Sequence, residues 1–189
     1  MLKYIELEGK GPKHDFNTFS TDHTNYNDAA ILLNNKIVVV DLDDEETARV
    51  GDLVFQKQPT LKVKTSRGIH LYYQKPKFVF IKNWTDKLTN CGVLADYKLG
   101  NKSLGIIKQN GQMRPMENEH LLGKWDHLPM LPLEFYPSKL KQSLLGLKDG
   151  QGRNSFLYTH LLAIREMYQD VTKEQITNLA EPQLVGAQQ

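Results

Sequence analysis

The stretch KIVVVDLDDEE, residues 36–46, constrains this chain more than any other. Its run of β-branched residues follows the turn-like pair Asn34-Asn35, so residues 36–43 are expected to form a buried strand whose acidic end emerges at a sheet edge or cleft. Directly after it, DEETARVGDLVFQK places acids in a first turn and apolar residues at Ala48, Leu53 and Phe55. That pattern predicts a helix beginning near Asp44, with Gly51 as an interruption.

The segments LKVKTS, IHLYYQ and FVFIKN follow, each short and rich in β-branched or aromatic residues. Ser66-Arg67-Gly68 separates the first two as a hairpin turn. VLADYKL and SLGIIKQ, divided by Gly100-Asn101-Lys102, then QMRPME after Asn110-Gly111, read as a second antiparallel set. A strand-helix opening followed by meander strands predicts an α+β architecture with a mixed or antiparallel sheet. The proline-bearing stretch 129–137 reads as an extended linker that ends the core. Beyond it, Phe156, His160, Leu161, Ile164 and Tyr168 share a stripe at helical spacing. Thr172 and Gln175 form a capping box before a second short helix.

Composition narrows the class. Hydrophobic content of 40% and charged content of 24% sit near globular averages, and 189 residues bury one substantial core with a small appendage. A net charge of +2 identifies no partner, so nucleic-acid binding must be argued from local charge. Cys91 is the only cysteine, which excludes an internal disulfide and a cysteine-based zinc site and fits a reducing cytoplasm. The first residues lack the apolar core of a signal peptide, and no stretch of about eighteen apolar residues occurs, so a soluble protein is expected. No G-x-x-x-x-G-K-[ST] loop is present, which excludes an ATPase motor within these residues.

Three constellations could carry chemistry. Asp41 and Asp43 lie on one face of their strand, because strand side chains alternate, and two carboxylates on one face can grip a hard cation such as magnesium. The alternative is a strand end running into an acidic helix start, which is the preferred reading for Asp44, Glu45 and Glu46. In LKVKTSRGIHLYY, His70 follows a turn crowded by Lys62, Lys64 and Arg67, and Gly68 lets the backbone approach an anion such as a triphosphate. In VLADYKLGNK, Asp96 and Lys98 share a face; they are either a solvated surface pair or, if Asp96 meets Asp41 and Asp43, the completion of a two-metal site. Trp84, Tyr97, Tyr72 and Tyr73 could stack bases, though aromatic residues in strands are more often core.

In combination, VVVDLDDEE, SRGIHLYY and VLADYKLG resemble the motifs of the archaeo-eukaryotic primase superfamily, in the branch of bifunctional primase-polymerase domains of phage and plasmid replication proteins. The likeness spans residues 1–130, and Gly152-Arg153-Asn154 resembles the opening of the helical module that often follows such domains. Arg67 stands where the family usually has a glycine. The resemblance implies an RRM-like catalytic domain over residues 1–137 and a linker with a helical module over 138–189. It implies template-directed nucleotidyl transfer, as DNA primase or DNA polymerase, with Mg2+ or Mn2+ held by Asp41, Asp43 and Asp96. His70, Arg67 and Lys98, with Ser66 and Gly68, would bind the nucleoside triphosphate, and Lys62 and Lys64 would contact template. The implied partners are single-stranded DNA, nucleoside triphosphates and a separate or fused replicative helicase, with no membrane, in the cytoplasm of a bacterial host. A non-catalytic DNA-binding module and a metal-dependent nuclease are the two other classes the residues allow.

Overall fold

A computed structural model describes residues 1–139, 153–167 and 172–175 of the chain. In chain order the strands are β1 (Tyr4–Glu8), β2 (Gly11–Pro12), β3 (Ala29–Leu32) and β4 (Ile37–Leu42). After helix α1 (Glu45–Lys57) come β5 (Leu61–Lys64), β6 (Ile69–Gln74), β7 (Trp84–Leu88) and β8 (Leu94–Lys98). β9 (Leu104–Gln109), β10 (Gln112–Met113), β11 (Met116–Glu117) and helix α2 (Arg153–Met167) complete the set.

The strands form two antiparallel sheets, one of six strands in the order β11-β5-β6-β4-β8-β7 and one of five in the order β10-β9-β3-β1-β2. The architecture is α+β. At the centre of the larger sheet β4 is buried along its whole length, as its valines require. Its neighbours are β6 and β8, so the acidic end of β4 is flanked by the two strands that carry His70 and Asp96. α1 packs on one face, where Val38, Val40, Leu42, Leu71, Tyr73 and Tyr97 form the main core with Val50 and Val54. The opposite face carries Val39, Leu61, Val63 and Tyr72 in a second core beside the smaller sheet. There β9 comes so close that a Cβ at Gly105 would lie 2.3 Å from the Tyr72 hydroxyl.

Asp44 caps α1 by accepting from the Thr47 amide at 2.8 Å, with Glu45 and Glu46 in the first turn. The helix does not break at Gly51. A Cβ there would fall 2.4 Å from Leu42 Cδ1 and 2.9 Å from Ile69 Cδ1, so the glycine serves close helix-sheet packing.

Four other expectations need correction. Residues 78–83 are not a strand, because the free edge of β8 is taken by β7; they run alongside with Ile81 buried and Val79 packed on the core. VLADYKL and SLGIIKQ do not belong to one set: β8 joins the large sheet and β9 the small one. QMRPME likewise divides, β10 pairing with β9 and β11 with β5, so Arg114-Pro115 passes from one sheet to the other. The stretch 129–137 is no open linker, since Leu131 and Phe135 are buried in the main core. Prolines suit an extended border segment, and this one exchanges backbone bonds with β6, from Gln74 N to Pro129 O and from Leu131 N to Gln74 O.

α2 rests on the same border. Among the α2 residues whose burial is described, His160 and Ile164 are buried, and His160 Nε2 donates to the Asn90 carbonyl at 2.6 Å. Phe156 and Leu162 are exposed. The capping box is made in both directions, Thr172 N to Gln175 Oε1 at 2.8 Å and Gln175 N to Thr172 Oγ1 at 3.2 Å. Tyr168, Gly152 and most of the expected second unit lie outside the described residues. No helix among the described residues is long and apolar enough to cross a membrane.

Candidate metal centre

One row of side chains crosses the large sheet in register: Val63 on β5, His70 on β6, Asp41 on β4 and Asp96 on β8. The row changes from apolar to acidic over four strands. Alternation puts all four side chains on the face away from α1. Asp43 follows one residue beyond the end of β4, and carboxylate oxygens of Asp41, Asp43 and Asp96 lie within 4.8 Å of one another. Asp41 is 2% exposed, Asp96 half-buried and Asp43 exposed, so the cluster grades from the sheet interior to the open end. A 330 Å³ pocket opens there, lined by the three acids with Asp44, Glu46, Thr47 and Asp86.

Each acid has a different electrostatic situation. Burial alone would raise the Asp41 carboxyl, but the His70 imidazole and the Lys98 ammonium hold it down at about 2. His70 Nε2 lies 3.1 Å from Asp41 Oδ1, and Lys98 Nζ donates to Asp41 Oδ2. Asp96 is shifted upward, first by burial and then by the charges of Asp41 and Asp43, against the opposing bond from the Asp86 amide. That amide donates to Asp96 Oδ1 at 2.9 Å.

The Asp86 amide reaches Asp96 because β7 bulges between Trp84 and Lys87, and Asp86 adopts a left-handed φ of 50°. Bulges of this kind re-aim groups at sheet edges, and aspartate tolerates the left-handed region better than most residues. Asp86 was not among the expected site residues. An aspartate inside WTDKL, a poor strand former amid good ones, was the available signal. Arg114 was missed as well. It is half-buried at the crossing between the sheets, where burial lowers its pKa and the nearby Tyr72 and Asp41 act in the opposite direction. The Arg-Pro pair just after the Asn110-Gly111 turn marked a change of direction, but nothing in sequence placed it near Asp41.

The remaining candidates are less closely gathered. The His70 ring is 5% exposed and faces Asp41 rather than the pocket. Gly68 makes its close approach to the chain's own backbone, since a Cβ there would sit 1.7 Å from the Leu42 carbonyl oxygen. The turn is tied by Thr65, whose amide donates to the Gly68 carbonyl and whose Oγ1 accepts from the Gly68 amide, both at 2.9 Å. Ser66 and Arg67 are exposed on that turn beside the acidic end of β4. Lys62 is buried and bridges Asp52 at 2.8 Å and Glu117 at 2.6 Å, with its ammonium 4.2 Å from the centre of the Phe55 ring. It belongs to the packing of α1 and β11 around β5, whereas Lys64 is exposed.

An all-oxygen carboxylate set suits a hard divalent cation. Burial and the charges of Asp41 and Asp43 both raise Asp96, and a cation held among the three carboxylates would relieve that repulsion. Comparison of the chain with protein-family models, with curated proteins and with solved structures found no match.

Proposed function

We propose that the chain is a divalent-metal-dependent nucleotidyltransferase of the primase-polymerase kind. The observation that carries this reading is the convergence of Asp41, Asp43 and Asp96 on one pocket at the end of β4. The strand order supports it. β4, α1, β5, β6 and β8 form a β-α-β-β unit plus a final strand in the order β5-β6-β4-β8, which is the order of an RRM-like sheet, with β7 and an irregular segment in place of the second helix.

Bound Mg2+ or Mn2+ would supply Lewis-acid stabilisation of the attacking and leaving oxygens in an in-line displacement at an α-phosphate. Asp41, Asp43 and Asp96 would hold the cations. Lys98 stands next to them on β8 and offers a positive charge to the phosphates, with Arg114 in support from the sheet crossing. His70 acts in this reading as a positioning residue, fixing the buried Asp41 carboxylate rather than contacting phosphate. Arg67 and Ser66, exposed on the Gly68 turn, would meet the outer phosphates in this reading. A single-stranded template and nucleoside triphosphates are the substrates.

The test is synthesis on a single-stranded template, with and without primer, in Mg2+ or Mn2+. The wild-type chain is expected to incorporate nucleotides and Asp41→Asn/Asp43→Asn to incorporate none. A wild type that binds DNA without incorporation would favour a binding module. Template degradation that stops in the double variant would favour a nuclease, which the same carboxylates suit.

A further inference from the structure

Residues 78–83 run beside the main core without regular structure, and their side chains divide between inside and outside. Ile81 is buried and Val79 packs inward, while Phe78 and Phe80 point outward at 101% and 75% exposure. Large aromatic side chains are ordinarily buried, and two exposed phenylalanines within three residues form the kind of apolar patch that marks an interaction site. The patch continues into β7: Phe80 meets Trp84 edge-on at 5.8 Å between ring centres. Lys82 and Lys87 hold their ammonium groups 5.9 and 5.5 Å from the centre of the Trp84 ring. A 320 Å³ recess lies between these rings and Pro137.

Charge identifies the occupant. Residues 75–87 contain four lysines and one acid, and that acid, Asp86, faces the carboxylate pocket. An apolar partner protein would have no use for lysines interleaved with the rings, whereas a single-stranded nucleic acid offers bases to stack and phosphates to pair. A duplex would not fit this chemistry, because its bases are already stacked on one another. We infer that Phe78, Phe80 and Trp84, with Lys77 and Lys82, form a stacking platform for single-stranded nucleic acid at the edge of the large sheet.

The platform borders the metal centre through β7, which pairs Trp84 with Tyr97 and Lys87 with Ala95, the residues on either side of Asp96. Trp84 packs edge-on against Tyr97 in the main core, so the rings lie on the α1 face of the sheet and the Asp41 and Asp96 carboxylates on the other, with β8 between them. The inference deepens the nucleotidyl-transfer reading and rests on it for why a strand is held there, but its test is separate.

Anisotropy of a labelled oligodeoxythymidylate of roughly 16 nucleotides, with a duplex and an oligouridylate of the same length alongside, measures binding without nucleoside triphosphate. Phe78→Ala/Phe80→Ala, which alters only exposed side chains, is expected to weaken single-strand binding about tenfold or more. Lys77→Ala/Lys82→Ala is expected to lower the slope of log affinity against log salt by roughly 0.7 for each lysine. Wild-type affinity in the phenylalanine variant would overturn the platform, as would a wild type that does not bind the oligonucleotide or prefers the duplex. Self-association of the wild type that the phenylalanine variant abolishes, with single-strand affinity unchanged, would assign the patch to a second copy of the chain instead. Mn2+ titration of the same proteins separates the two readings: single-strand binding through the rings without any Mn2+ binding would leave the platform standing and overturn the metal centre.

Discussion

Asp41 and Asp96 are direct cross-strand partners on β4 and β8, two carboxylates in register on one face of an antiparallel sheet. Like charges opposite one another cost roughly 0.2–1 kcal/mol, and Asp43 adds a third. The arrangement is unfavourable in the metal-free chain and favourable with a cation between the carboxylates. Asp96→Asn should therefore leave the metal-free melting temperature unchanged or raise it by about 1–3 °C. The wild type should gain stability with Mn2+, by about 2.7 kcal/mol at a hundredfold excess over its dissociation constant, and the variant should lose that gain. Calorimetry with Mn2+ and with a chelator reads both effects. A wild type indifferent to Mn2+ and Mg2+ would remove the metal centre.

Lys98 occupies Asp41 Oδ2 and is itself one-third exposed, so it competes with any cation for that oxygen. Lys98→Met should destabilise the metal-free protein by about 1–3 kcal/mol, because a buried carboxylate loses a partner. The same change should tighten Mn2+ binding about fivefold and weaken triphosphate binding. Isothermal titration with Mn2+ and then with a non-hydrolysable triphosphate separates the two. Equal Mn2+ affinity in the two proteins would show that the ammonium does not share the site.

Gly68 is required by the fold rather than by a ligand. Its backbone passes so close to Leu42 and Asp43 that a methyl group would displace the end of β4, and backbone cannot yield as a side-chain tip does. Gly68→Ala should cost about 2 kcal/mol or more and reduce Mn2+ binding by shifting Asp43. Ser66→Ala, on the exposed part of the same turn, should leave the melting temperature within about 1 °C. Equal stability of Gly68→Ala and the wild type would contradict this packing.

These cases show what was legible in the sequence. Local rules sufficed for β4, for α1 with its Asp44 cap, and for the β5-β6 hairpin, because alternation, capping and turn chemistry act within a few residues. That Asp41, Asp43 and Asp96 could meet was readable only as a condition. The pairing of β4 with β8, separated by more than fifty residues, depends on which sheet edge remains open, and no local pattern encodes that. The same gap misled the reading of residues 78–83, whose strand-like composition pairs with no strand. Lys62 illustrates a second limit. A lysine next to a basic turn reads as a phosphate contact, yet its partners Asp52 and Glu117 come from a helix and a distant strand. Arg114 and Asp86 entered the site through a chain crossing and a bulge, both tertiary events.

α2 offers a test that is independent of the metal. Its docking depends on His160, a buried imidazole in which burial disfavours the charged form and whose Nε2 donates to the Asn90 carbonyl. Burial lowers its pKa below the ordinary histidine value of 6.5, against a smaller opposing effect of that hydrogen bond. The sign follows from proton uptake. Above 6.5 the histidine is neutral whether docked or not; as pH falls below 6.5 the undocked chain binds a proton that the docked one resists, so docking weakens. Stability contributed by α2 should therefore be full at pH about 7.5 and diminished at about 5. His160→Leu should lower the melting temperature at the higher pH, through loss of the Asn90 bond, and should shrink the change between the two pH values. A chain ended at Lys148 should show the same reduced pH response while its carboxylates still bind Mn2+, since Asn90 retains its own bonds to Leu133 and Tyr136. Protease sensitivity of α2 that rises on acidification in the wild type and is pH-independent in His160→Leu would support the assignment. An identical acid response in the two proteins would locate the titration elsewhere.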